Sequence, residues 1–181
     1  MLSREEALVL IRKYNKDQSL LNNSIAVEAI LREIARRIGK DEELWGLTGL
    51  LHNLDYDYTK ENPEKRGILS AQILEDLIPE DCINAIKANN YMHTDYLPTN
   101  SLDKSLISTA AVTNFVKMVA RSTPSKQISE VDLEILISKF NDSTFANRDI
   151  KNKIKLCMDV GFDLKAFFKL TLITFRQIFN Q

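Results

Sequence analysis

Histidine is scarce in this chain of 181 residues, which holds only His52 and His93. Two imidazoles alone make a poor transition-metal centre, so any such site would need carboxylates placed beside them. Cysteine offers no substitute. Cys82 and Cys157 are far apart in apolar surroundings and read as two buried thiols, not as a bridge or a thiolate metal site. Five glycines leave little material for a phosphate-gripping loop, a dinucleotide fingerprint or a nucleophile elbow, and none of these motifs occurs. No apolar run approaches the roughly 18 residues of a membrane span, so no membrane association is expected. Nor does either sign of charge prevail. With 24 Lys plus Arg against 25 Asp plus Glu the net charge is -1, which makes nucleic acid an unlikely partner for the molecule as a whole while leaving a local patch open. Glu5 and Glu6 stand where a secretory signal needs a basic flank and an apolar stretch, so the expected compartment is the cytoplasm.

What the chain has in quantity is apolar residues at spacings of three and four, the signature of amphipathic helices. The expected fold is all-α, a compact multi-helix bundle. Ser3 and Glu6 form a capping box for a first helix through Tyr14. A second helix is expected from about Asn22–Ser24, carrying Val27, Ile30, Leu31, Ile34 and Ile38 to a stop at Gly39. Asp41 caps a third that ends at His52. A polar and aromatic loop then runs to Asn62, where Pro63 opens a helix through about Leu77, and Pro79 opens another to about Asn90. After a loop over 92–100, a long helix reaches about Val119. The segment 121–129 is linker-like, and three further helices follow over 131–140, 147–160 and 163–179. One domain over residues 1–181 is expected, with 130–181 a helical extension packed on the core. The aromatic residues of the last helix suit either that core or a dimer face.

The segment Leu47-Thr-Gly-Leu-Leu-His52-Asn53-Leu-Asp55 ends an apolar helix with a histidine and a short polar residue at its mouth. Taken with Arg66, Asn89 and Ala110 on later helices, with Glu28-Ala29, Trp45-Gly46-Leu47 and Ala85-Ile86-Lys87-Ala88, it resembles the histidine-aspartate (HD) superfamily of metal-dependent phosphohydrolases. The resemblance runs from about Leu20 to Phe179, and is strongest to a subgroup of small stand-alone bacterial and archaeal domains. It implies an early histidine, a His-Asp pair, two further histidines and a late aspartate converging on one or two divalent metals. Those metals would activate a water to attack phosphorus.

Carried onto this chain, the early histidine falls on Asn23 and the paired motif on His52-Asn53. The two later histidines fall on Arg66 and Asn89, and the late aspartate on Ala110. The neighbours of Asn23 and Ala110 include no His, Asp or Glu. Asparagine is a weak ligand for a transition metal, and a guanidinium has no acceptor atom at all. The expected protein is therefore a catalytically inactive or strongly impaired relative, a pseudoenzyme that needs no metal or cofactor. Its vestigial pocket would comprise Asn23, His52, Asn53, Arg66, Asn89 and Ala110.

Two fates for that pocket follow. In one, Arg66 with His52, Asn23 and Asn89 receives a small anionic metabolite or nucleotide, and the chain acts alone, as a homodimer, or in a heteromer with a protein partner. In the other, the pocket has collapsed and Arg66 pairs with Asp55, Asp57 or Glu64. The enzyme alternative is an atypical phosphohydrolase that uses His52 with relocated ligands from His93, Asp55 and Asp57, although the two aspartates are equally suited to capping their loop. The basic residues near Lys126 and at Lys151, Lys153 and Lys155 lack interleaved aromatics and read as solvated faces.

Overall fold

A computed structural model describes residues 2–179. Every regular element among them is helical, as the periodicity predicts. The chain divides into two compact units between Leu106 and Ile107, inside a long helix and not at the 121–129 segment.

The first unit opens with α1 (Arg4–Tyr14), α2 (Gln18–Ile38) and α3 (Glu42–Leu51). The capping box is present: Ser3 Oγ accepts from the Glu6 amide at 3.2 Å and Glu6 Oε2 accepts from the Ser3 amide at 2.8 Å. Helix α2 starts several residues before the expected point. Asp17 caps it by accepting from the Ser19 amide at 2.8 Å, and the burial of Leu20 and Leu21 extends its apolar stripe backward. Asn23 therefore lies inside the helix. Gly39, with φ of 69°, ends α2 in a left-handed cap, and Asp41 accepts from the Leu44 amide to start α3.

Close contact between α2 and α3 is built around Gly49. A Cβ there would meet Leu31 Cδ1 at 2.9 Å and the backbone of Val27 and Glu28 at 3.0 Å. Val27, Ile30, Leu31, Leu50 and Leu51 are fully buried, each side chain contributing about 1.5–3 kcal/mol. Beside them, the buried carboxylate of Glu28 takes a two-pronged contact from Arg4 at 2.6 and 2.9 Å and a third from Arg32 at 3.2 Å, tying α1 to α2.

The expected helix over residues 63–77 is broken in two. Pro63–Lys65 forms a single 3-10 turn, Arg66 is extended and Gly67 is left-handed at φ 87°. Only then does α4 (Ile68–Leu74) begin. The break has a packing cause, since a Cβ on Gly67 would lie 2.9 Å from the Ile86 carbonyl oxygen on α5 (Glu80–Ala88). A short helix, α6 (Tyr91–Thr94), occupies the start of the expected 92–100 loop.

Helix α7 (Ser101–Arg121) crosses the division. The second unit continues through α8 (Leu133–Asn141), α9 (Arg148–Lys155) and α10 (Leu164–Phe179). Its centre is aromatic: Phe115 packs on Phe140, Phe145 and Phe168 with ring centroids 6.0, 6.0 and 6.4 Å apart. Helix α10 buries Phe167, Phe168, Leu172 and Phe175, which accounts for most of its aromatic surface. Gly161, left-handed at φ 95°, closes the turn that follows α9. No helix among the described residues is long and apolar enough to cross a membrane.

Candidate functional site

Five of the six motif positions lie in the first unit; Ala110, on α7, belongs to the second and is buried there. Asn23 on α2 is 6% exposed and His52, the C-cap of α3, is 2% exposed. Each lies about one helical turn from the close approach at Gly49, Asn23 before Val27 on α2 and His52 after Gly49 on α3. His52 Nδ1 is 2.6 Å from the Gly49 carbonyl oxygen. A carbonyl can only accept, so Nδ1 donates in this contact.

Asn53 is half-buried and starts a loop whose shape is set by two aspartates. Asp55, fully buried, turns Oδ2 onto the amides of Gly67 (2.8 Å) and Ser70 (3.0 Å). Its own amide donates to Ser70 Oγ at 3.1 Å. Asp55 thus caps α4 from a distance and holds the segment after His52 against the segment of Arg66. Asp57 accepts from the Lys16 amide at 2.9 Å and pairs with Lys60 Nζ at 2.6 Å. Lys60 and then the Lys16 amide hold its carboxyl below the ordinary aspartate range. Buried Asn15 completes the framework, donating to the Leu54 carbonyl and accepting from the Asp57 amide.

Arg66 pairs with none of the carboxylates suggested by a collapsed pocket. Its guanidinium carbon sits 4.7 Å from the centroid of the Tyr56 ring. Its Nε is buried without a hydrogen-bond partner among the described residues. The next motif segment is stitched to it by Asn90, whose Nδ2 donates to the Pro63 and Arg66 carbonyls at 3.0 and 3.1 Å. Asn89, half-buried, caps the C-terminus of α5 beside it.

His93 is exposed on α6. Among the described residues the relocated ligand set does not gather around His52. Among the described residues, no three His, Cys, Asp or Glu side chains gather in a way that could hold a metal ion. The donors present therefore do not fit a metal centre. Both cysteines are buried and free, and burial pushes the Cys157 thiol up to about 12. Two open clefts of about 600 and 570 Å³ lie elsewhere in this unit, one beside Arg4, Arg32 and Leu47, the other between α4 and α5; none of the motif residues lines either.

Asn15, Ser70 and Asn90 hold the site together but carry no motif signal in the sequence. Each acts through a contact between segments distant along the chain. A family model described as HD domain matches residues 20–137. No curated protein and no solved structure matches the chain.

Proposed function

The chain belongs to the HD domain family, and from that premise we propose that it binds a small anion through Arg66 and does not hydrolyse phosphoesters with metal ions. The observation that carries this reading is the state of Arg66. It occupies a position where the family places a histidine ligand, and its permanent positive charge has no carboxylate in ion-pairing distance among the described residues. A partly buried guanidinium stacked on a ring, with one N–H unsatisfied, favours a planar anion such as a phosphate or carboxylate. His52, Asn23 and Asn89 supply neutral polar groups around such an anion. The ligand is a phosphorylated metabolite or nucleotide, and the chain belongs with the small stand-alone members of the family.

Thermal shift with inorganic phosphate and pyrophosphate tests the reading. Ligand at about 100 times Kd stabilises a protein by about 2.7 kcal/mol, and this gain is expected in the wild type and absent in Arg66→Ala. Arg66→Lys keeps the charge without the fork and retains only part of the gain. Metal-stimulated phosphoester hydrolysis that disappears in His52→Ala would overturn the proposal in favour of an atypical hydrolase.

A further inference from the structure

Beyond the motif positions, the loop after His52 builds a surface that the anion site alone does not require. Tyr58 is 61% exposed, yet its ring meets Tyr14 edge-on with centroids 5.9 Å apart. Lys13 lies over the Tyr14 ring at 5.6 Å. Two residues before Tyr58, Tyr56 carries two cations, Lys60 at 5.7 Å and Arg66 at 4.7 Å from its centroid. Residues from α1 and from the 56–66 segment are distant in sequence, so neither stretch alone displays the pattern. Folding brings them into two groups joined by the short stretch from Tyr56 to Tyr58: Lys13, Tyr14 and Tyr58 in one, and Tyr56 with Lys60 and Arg66 in the other.

We propose that this surface binds single-stranded nucleic acid, with Tyr58 and Tyr14 stacking bases and Lys13 and Arg66 meeting phosphates, Lys60 being engaged by Asp57. The inference rests on the reading of Arg66 as an anion anchor, which would hold one of those phosphates. Only unpaired bases offer their faces to tyrosine, which favours a single strand over a duplex. Several rings beside several cations exceed what one nucleotide can use, which favours an oligomer. Acids on the same segment limit the attraction. Asp57 is occupied by Lys60 and the Lys16 amide, but exposed Glu61 and Glu64 remain. With a net charge of -1 the attraction is local and falls steeply with salt.

Fluorescence anisotropy with a labelled strand of about a dozen uridines, at salt between about 50 and 200 mM, decides the matter. The wild type is expected to bind the single strand and not the matching duplex. Tyr58→Ala weakens binding by roughly 5- to 100-fold, the range for loss of one stacked base, while Tyr58→Trp retains it. Two phosphate contacts give a slope of log K against log salt of about -1.4, made shallower by about 0.7 in Lys13→Ala. Absence of binding at the lowest salt, equal binding by Tyr58→Ala, or equally tight binding of uridine monophosphate overturns the proposal. Arg66-dependent stabilisation by phosphate without any oligonucleotide binding leaves the anion site standing and removes this surface. Oligonucleotide binding unchanged in Arg66→Ala overturns the proposal, while the phosphate thermal shift decides the anion site separately.

Discussion

Asp55 and Gly67 are joined by a 2.8 Å hydrogen bond in which the carboxylate accepts from the glycine amide. The same oxygen accepts from Ser70, so the one fully buried acid close behind His52 is committed to starting a helix. This relationship fixes where Arg66 sits, immediately before the capped turn.

Replacing Asp55 with alanine leaves the buried amides of Gly67 and Ser70 without their acceptor. The expected loss is about 3 kcal/mol, the sum of two charge-assisted bonds less partial rescue by water. Asp55→Asn retains an acceptor oxygen and is expected to cost about 1 kcal/mol. Urea denaturation of the two variants measures the difference. Equal losses would mean that charge, and not the cap, is what the site requires.

Much of this arrangement was legible in the sequence, and the exceptions share a cause. Ser3, Asp41 and Gly39 act on residues beside them, so their caps appear where the local pattern predicts. The break at Gly67 depends on the Ile86 carbonyl approaching from another helix. Nothing in the residues around Gly67 announces it. The same limit applies at the site. The loop-ordering role of the two aspartates was one of the alternatives their own segment left open, whereas the ring beneath Arg66 and the Asn90 stitch arise from contacts between separate segments.

Gly67 and Gly39 offer a controlled comparison, because both have positive φ but only one is crowded. A Cβ at Gly39 meets nothing within 4 Å, so Gly39→Ala should cost only the backbone term of about 1–2 kcal/mol. Gly67→Ala adds a clash with a carbonyl oxygen at 2.9 Å, and overpacking of this kind costs a further 1–3 kcal/mol or so. Chemical denaturation should rank Gly67→Ala well below Gly39→Ala in stability. Similar midpoints would show that α4 shifts away from α5 without penalty.

Acid should loosen the loop after His52 through Asp57. Its folded pKa is lowered, chiefly by Lys60 and then by the Lys16 amide. A carboxylate of this kind stabilises the fold at pH above its unfolded value, near 4, and the contribution fades as pH falls through the lower folded value. Denaturation midpoints measured from about pH 6 down to about pH 2 should therefore show an acid limb that is shallower in Asp57→Asn. An unchanged limb would assign the acid sensitivity to other pairs, such as Arg32 with Glu43, whose carboxyl is lowered in the same sense.

Restoring ligands tests whether the chain lost a metal centre at the positions named. Arg66→His alone leaves His52 with one added imidazole and only amides or alanine at the other positions, too few donors for tight transition-metal binding. Elemental analysis after purification without chelator should find no stoichiometric metal in that variant. Combining it with Asn23→His, Asn53→Asp and Asn89→His supplies four imidazoles and one carboxylate at the five motif positions of the first unit. That variant is expected to retain about one or more equivalents of a divalent transition metal. Stoichiometric metal in Arg66→His alone would mean that other donors already surround His52, and that a single added imidazole completes a metal centre.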